Sequence, residues 1–234
     1  LRTGAVYGTG KREENLRGYF AAISAMDEQI GRLLDAVEEQ GLADNTVILF
    51  TADNGMSMGQ HGVWGKGNGT FPMNMYDSAV KVPFLISWPG HIPANTVCSE
   101  MISACDLLPT ILKLTGLSDK QPTGLPGRSF TELLKGEQRE HRDEVVIFDE
   151  YGPVRMIRTK EWKYVHRYPY GKHELYHLVD DPGEEKNLYG LPEYKKLVTQ
   201  LKGRMEKWFC TYSDPAIDGV RSAVNGSGQL CRPG

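Results

Sequence analysis

The sequence predicts an α/β fold in two parts, and three observations carry that reading. Apolar residues recur at helical spacing from Asn15 to Val37, and a β-branched apolar run follows at Thr46–Thr51. From Glu144 to Leu178 the chain breaks into short strand-like segments separated by turn residues. Helix followed by apolar strand is an α/β pattern, whereas a run of short strands closed by one helix is a small antiparallel sheet with a cover.

Residues 1–14 are polar and glycine-rich and read as a loop. Leu16, Tyr19, Phe20, Ile23, Met26, Ile30, Leu33, Leu34 and Val37 then lie three or four apart, on one helix face. Gly41 stands just past them, where a C-terminal cap belongs. Thr46–Thr51 shows no alternation, the pattern of a central strand covered on both faces. From Ala52 to about Tyr76 the chain is rich in glycine and has no period. A long irregular stretch directly after such a strand favours a functional loop, because open α/β sheets bind ligands at the carboxyl ends of their strands. Val82–Ser87 is a second strand, ended by the turn Trp88-Pro89-Gly90. Asp106 is the expected N-cap of a short helix with Pro109 in its first turn, and Ser129–Lys135 is another short helix. A parallel sheet is expected here.

The character changes near residue 140, giving expected domains 1–140 and 141–234. Glu144–Glu150, Val154–Arg158, Trp162–Arg167 and His173–Leu178 are strand candidates, and Asp180-Asp181-Pro182-Gly183 closes the meander. Pro192–Phe209 is an amphipathic helix whose stripe is Tyr194, Leu197, Leu201, Met205, Trp208 and Phe209. The remaining residues read as loop.

Composition narrows the function classes. With 27 Lys+Arg against 30 Asp+Glu, the net charge of -3 argues against nucleic-acid binding. No apolar run of about 18 residues exists, so no transmembrane helix is expected. The start, Leu1-Arg2-Thr3-Gly4, has neither initiator Met nor signal peptide and is expected to be that of a fragment or processed piece. Cys98, Cys105, Cys210 and Cys231 lack zinc-ligand spacing. The first two read as buried small hydrophobes, and the last two bracket the tail and can pair in an oxidising compartment.

The chemistry concentrates in Ala52-Asp53-Asn54-Gly55 and Gly59-Gln60-His61-Gly62-Val63-Trp64-Gly65-Lys66-Gly67. Asp53 and Asn54 offer a carboxylate and an amide oxygen at a strand end, hard donors that suit Ca²⁺, with Mg²⁺ second. The same residues also spell an Asx turn. Lys66, between glycines, is placed to meet an oxyanion, and His61 to ligate a metal or donate to a leaving group. For each alone a solvated loop position is the alternative. Tyr164, His166, Arg167, Tyr168, Tyr170 and His173 either line a pocket for an anionic or glycan ligand or decorate an exposed sheet. Asn68-Gly69-Thr70 and Asn225-Gly226-Ser227 match the glycosylation sequon, a pattern common by chance. Gly8-Thr9-Gly10-Lys11 is too short for a P-loop.

Taken together these segments resemble the sulfatase family of the alkaline-phosphatase-like superfamily. The resemblance runs through Tyr19–Asp27, Ile30–Leu34, Thr51–Gly55, Gly62–Gly67, Val82–Gly90, Asp106–Thr110, Glu174–Tyr176, Asp181–Glu184 and Asn187-Leu188, in the family's order. It implies the C-terminal half of an alkaline-phosphatase-like α/β sandwich followed by a small antiparallel sheet with a covering helix. It also implies hydrolysis of organic sulfate esters, with Asp53 and Asn54 on calcium and Lys66 on the sulfate oxygens. His61 would lie near the substrate, and Arg155 and His173 are candidates for the specificity side. A sulfated small molecule or glycan is the implied substrate, in a secreted, periplasmic or lysosomal setting.

The chain departs from the family in one respect. Sulfatases carry Cys-x-Pro-x-Arg or Ser-x-Pro-x-Arg, whose first residue becomes formylglycine, the covalent nucleophile. No cysteine here is followed by that pattern, and the preceding Asp-Asp metal ligands are missing too. An N-terminal half of the same protein is therefore the expected partner, and this chain alone is expected to be inactive. The alternatives are a phosphate or phosphonate monoester hydrolase of the same superfamily, or a non-catalytic binding module on a degenerate sulfatase.

Overall fold

The computed structural model describes residues 2–3, 12–137, 140–149, 152–169 and 171–221. The chain divides into two compact units, Leu1–Thr96 and Val97–Gly234. The expected change of character near residue 140 lies inside the second unit.

The first unit opens with β1 (Arg2–Thr3) and the 28-residue α1 (Arg12–Glu39). Glu13 and Glu14 sit in the first turn of α1, where carboxylates favour the positive end of the helix. Gly41 ends it in the left-handed region at φ 66°, as the sequence predicts. Its N–H bonds the Glu38 carbonyl at 2.8 Å and the Leu42 N–H bonds that of Val37 at 3.0 Å, a double cap that only glycine adopts without cost. No residue of α1 is buried within this chain, and on its apolar stripe Phe20 is 59% and Leu33 67% exposed.

β2 (Ile48–Thr51) follows, then the short β3 (Ser57–Met58), β4 (Trp64–Gly65) and β5 (Thr70–Phe71), α2 (Asp77–Val80) and β6 (Phe84–Ser87). β1 pairs with β5 and β3 with β4. β2 pairs with β6 antiparallel, Ile48 opposite Ser87 and Thr51 opposite Phe84. The parallel arrangement expected between them is not what forms. A parallel pair needs a full crossover element, and the intervening chain supplies only the four-residue α2. β2 is half-buried along its length and pairs only with β6 among the described residues, so it is not the doubly covered strand expected.

The second unit holds α3 (Leu107–Leu114), α4 (Thr131–Leu134), β7 (Val145–Phe148), β8 (Val154–Arg158), β9 (Trp162–Arg167), β10 (Glu174–His177) and α5 (Lys195–Tyr212). The four strands form the expected antiparallel meander, ordered β10-β9-β8-β7. Val146, Ile157, Tyr164 and Leu175 align in register across all four strands. They form one core with Leu201, Met205 and Phe209 of α5. The 3.6-residue period of the helix thus meets the two-residue period of the sheet on a single apolar row.

Asp106 differs from its expected role. Ser103 caps the turn before α3, accepting from the Cys105 N–H, and the Asp106 carboxylate returns to the Ser103 N–H at 2.9 Å. The same wholly buried carboxylate accepts from the Arg128 N–H at 2.7 Å and from Arg142 Nε at 2.7 Å, and pairs with Arg142 Nη2. Burial alone would raise its pKa, but the hydrogen bonds from Arg142 and from the Arg128 and Ser103 amides outweigh it and hold it below the usual carboxylate range. Asp106 is a buried hub tying α3 to the chain ahead of β7. Cys98 and Cys105 are exposed rather than buried, because Cys98 lies in irregular surface chain and Cys105 on the short turn before α3, neither on a packed helix face. Cys210 is exposed on α5. Cys231, the sequon at 225–227 and residues 8–11 lie outside the described residues.

Replacing Asp106 with Ala removes the anion but leaves the Arg142 guanidinium buried, so about 3–5 kcal/mol of unfolding free energy should be lost. Urea unfolding of Asp106→Ala against the parent chain measures this. A loss under about 1 kcal/mol, the level of a surface pair, would remove the hub role.

Candidate active site

Asp53 and Asn54 leave the carboxyl end of β2 and are both exposed. The chain then turns hard against α2. The Gly55 N–H bonds the Ala79 carbonyl at 3.0 Å. A Cβ on residue 55 would lie 2.4 Å from the Ser78 carbonyl oxygen, so no side chain fits there. Ser57 Oγ and Ser78 Oγ add a second link at 2.7 Å. Neither the Asp53 carboxylate nor the Asn54 amide has a hydrogen-bond or ion-pair partner among the described residues. The Asx-turn alternative therefore lacks its defining hydrogen bond.

The loop that follows carries His61 and Lys66. Gly59, at φ 98°, donates its N–H to the Val63 carbonyl at 2.8 Å, and His61 itself is left-handed at φ 54°. The His61 ring stacks on Tyr76, with centroids 3.7 Å apart and planes 4° from parallel. Neither ring nitrogen has a partner among the described residues. Lys66 is exposed and its ammonium is likewise unpaired there. Its backbone is not free: the Lys66 carbonyl accepts from the Gly69 N–H at 2.8 Å and from Asn74 Nδ2 at 3.2 Å. Sequence reading found the exposed chemistry and missed Asn74 and Tyr76. Buried polar and aromatic residues in an aperiodic loop carry no pattern to flag them.

Two hard oxygens suit calcium in kind but not in number, since that ion takes 6–8 donors. No group of three or more His, Cys, Asp and Glu side chains that could complete the set occurs among the described residues. Asp53 and Asn54 thus fit as part of a calcium site.

The other candidates, Arg155 and His173, belong to the second unit. Phe148, Arg155 and His166 form the next row of the sheet on the α5 side. Arg155 pairs with Asp218, donates Nε to the Gly152 carbonyl at 3.2 Å and stacks 3.6 Å from the Phe209 ring centroid. It borders a cleft of about 710 Å³ shared with Tyr168, Glu206 and Cys210. His173 Nδ1 accepts from the Arg167 N–H at 3.2 Å, and its ring stacks on His166 at 4.0 Å. Both candidates are thus engaged inside their own unit. Tyr170 lies outside the described residues.

His166 is buried and hydrogen-bonded to the Tyr164 hydroxyl at 2.7 Å. Burial first, then the charges of His173, Lys202 and Arg155, push its pKa down to about 3. Burial also lowers His173, helped by Arg167 and Lys202, and raises Tyr164. Between the ordinary imidazole value and about 3 the unfolded chain binds more protons than the folded one, so stability rises with pH in that window. The contribution is complete above about pH 6.5 and is lost as the pH falls. Denaturation midpoints should drop from pH 7.5 to pH 5, before the carboxylates protonate, and His166→Gln should flatten much of that slope. An unchanged slope in the variant would contradict the buried neutral imidazole.

Residues 59–210 match the family model described as N-sulphoglucosamine sulphohydrolase, C-terminal. An ulvan-active sulfatase of Formosa agariphila is 32% identical over 214 residues, covering 87% of this chain and 40% of that protein. A protein solved in complex with its substrate, D-glucosamine-2-N,6-O-disulfate, superposes with a TM-score of 0.78 at 30% identity, over 92% of this chain and 45% of that one. The phosphonate monoester hydrolase of Agrobacterium radiobacter superposes at 0.70 and 27% identity, over 83% and 41%. The chain therefore spans less than half the length of these relatives. Together with the loop at the end of β2 and, in the second unit, the helix-covered meander, these likenesses give one conclusion: the chain belongs to the sulfatase family and corresponds to its C-terminal part.

Proposed function

We propose that the chain is part of a hydrolase of organic sulfate esters and supplies one side of its active site. The observation that carries this reading is the set of unpartnered polar groups after β2: the Asp53 carboxylate, the Asn54 amide, the His61 ring nitrogens and the Lys66 ammonium. A folded loop that leaves such groups unmatched, while bonding its own backbone, presents them to something outside itself.

Asp53 and Asn54 would hold calcium through oxygen. When bound, that ion supplies positive charge against the sulfate oxygens. Lys66, flanked by Gly65 and Gly67, adds a point charge where negative charge grows as the S–O bond breaks. His61 holds a proton at a ring nitrogen for the leaving oxygen. The formylglycine nucleophile and the remaining metal ligands would come from the N-terminal half of the same protein. Sulfated glycans are the favoured substrate class, in line with the ulvan-active and disulfated-glucosamine relatives. The likeness to a phosphonate monoester hydrolase keeps that reaction as the second reading. Oxygen donors at both Asp53 and Asn54 favour calcium and sulfate over the transition metals an imidazole would attract.

In the longer enzyme, Lys66→Ala should cut kcat more than tenfold, above about 1.4 kcal/mol, with little change in Tm. Turnover of an aryl sulfate that survives within tenfold would end the oxyanion role. Metal analysis of the same protein should find calcium; zinc, manganese or cobalt in its place would favour the phosphonate reading. This chain alone should turn over no sulfate ester.

A further inference from the structure

We propose that Asn74 and Tyr76 are positioning residues, Asn74 for Lys66 and Tyr76 for His61, acting as one brace beneath the exposed loop. The inference rests on the reading above, in which those two side chains meet the substrate. Asn74, Met75 and Tyr76 are only 1%, 4% and 8% exposed, whereas Lys66 stands in solvent. The buried run lies under the loop that presents the chemistry.

Asn74 binds both carbonyls that flank the Lys66–Gly67 junction. Its Nδ2 shares its two hydrogens among the Lys66 oxygen at 3.2 Å, the Gly67 oxygen at 3.1 Å and Thr70 Oγ1 at 3.3 Å. Its backbone N–H also reaches the Gly67 oxygen, at 3.0 Å. Carbonyl oxygens only accept, so the amide must present its nitrogen to them. That orientation leaves Asn74 Oδ1 buried with no hydrogen-bond partner among the described residues. An amide that gives up one end to keep the other on two carbonyls is held for its donor side. With the Gly69 N–H on the same Lys66 oxygen, the lysine backbone is fixed and only its side chain remains to move.

Tyr76 acts on His61 by a different force. A left-handed backbone disfavours a non-glycine residue, so the His61 conformation needs support from its surroundings. Face-to-face stacking on Tyr76 supplies it and fixes the ring plane. Because the nitrogens lie in that plane, stacking consumes neither. Tyr76 is itself anchored: its carbonyl accepts from the Ala79 N–H at 2.8 Å and the Val80 N–H at 3.0 Å, in α2.

Two sets of measurements test the brace. In this chain, limited trypsin cleavage after Lys66 reads the loop backbone, and the His61 ring-proton shifts read the stack. Asn74→Ala and the equally sized Asn74→Asp, both lacking the donor, should speed that cleavage about tenfold. Tyr76→Leu should abolish the upfield ring shift and Tyr76→Phe should keep it. In the longer enzyme, the Asn74 variants should lower kcat on an aryl sulfate about tenfold with KM moving less, the mark of lost transition-state contact. Tyr76→Phe should rescue the turnover that Tyr76→Leu loses. Unchanged cleavage and unchanged shifts would overturn the brace. Altered cleavage or shifts with kcat preserved would overturn the positioning role, provided Lys66→Ala is itself inactive. If Lys66→Ala keeps full turnover, the reading of the site fails and the positioning role falls with it.

Discussion

The close approach of Gly55 to the Ser78–Ala79 backbone is the constraint on which the arrangement of the loop depends. Any Cβ at this position would overlap a carbonyl oxygen, and that oxygen belongs to α2, an element of only four residues. The Ala79 carbonyl receives Gly55, and the Ala79 N–H returns to Tyr76. Tyr76 carries the His61 ring, and Asn74, two residues earlier, carries the Lys66 backbone. One short helical turn therefore sets the strand end with Asp53 and Asn54, the histidine and the lysine in a common frame. Such a frame matters because a reacting group displaced by about 1 Å can cost a hundredfold in rate.

Charge is handled in opposite ways in the two units. In the second, Lys163 meets Glu184 at 2.5 Å and Arg167 meets Glu174 at 3.0 Å, and Arg142 meets Asp106, all buried. Buried charges without partners would cost several kcal/mol each, so the fold matches them. In the loop after β2 the side chains of Asp53, Asn54, His61 and Lys66 reach the surface, and their polar atoms are matched by nothing among the described residues. Water can solvate them there at little cost, which leaves their interaction energy available to a ligand. The contrast separates the charges that hold the second unit together from those that, under the proposed function, would meet a substrate.

Much of this was legible in the sequence where periodicity or a local rule decides the outcome. The stripe of α1, the Gly41 cap, the four strands of the meander and the stripe of α5 follow from repeats of 3.6 and 2 residues and from turn chemistry. The position of Asp53, Asn54, His61 and Lys66 in an aperiodic loop after a strand was legible for the same reason. Features set by partners distant in sequence were not. The direction of β6 against β2 depends on what connects them, and the fate of Asp106 on Arg128 and Arg142, which no local pattern links to it. Asn74 was hidden because its partners are main-chain carbonyls, which every residue has.

Two deficits in the first unit share one explanation under the proposed function. A helix of 28 residues draws most of its stability from a packed apolar face, yet no residue of α1 is fully buried within this chain and only a few, such as Leu16, Tyr19 and Ile30, are half-buried. Calcium draws its affinity from a full oxygen shell, yet Asp53 and Asn54 offer two donors and no third acidic ligand joins them among the described residues. Both features lie on the same unit, the one that carries the proposed calcium ligands. A single further body of protein that covers the stripe of Phe20 and Leu33 and brings the remaining oxygens would answer both. On that view the stability of α1 and the affinity for metal are coupled, because the same association supplies each. Covering the stripe of α1 and completing the coordination shell would then be two readouts of one assembly step.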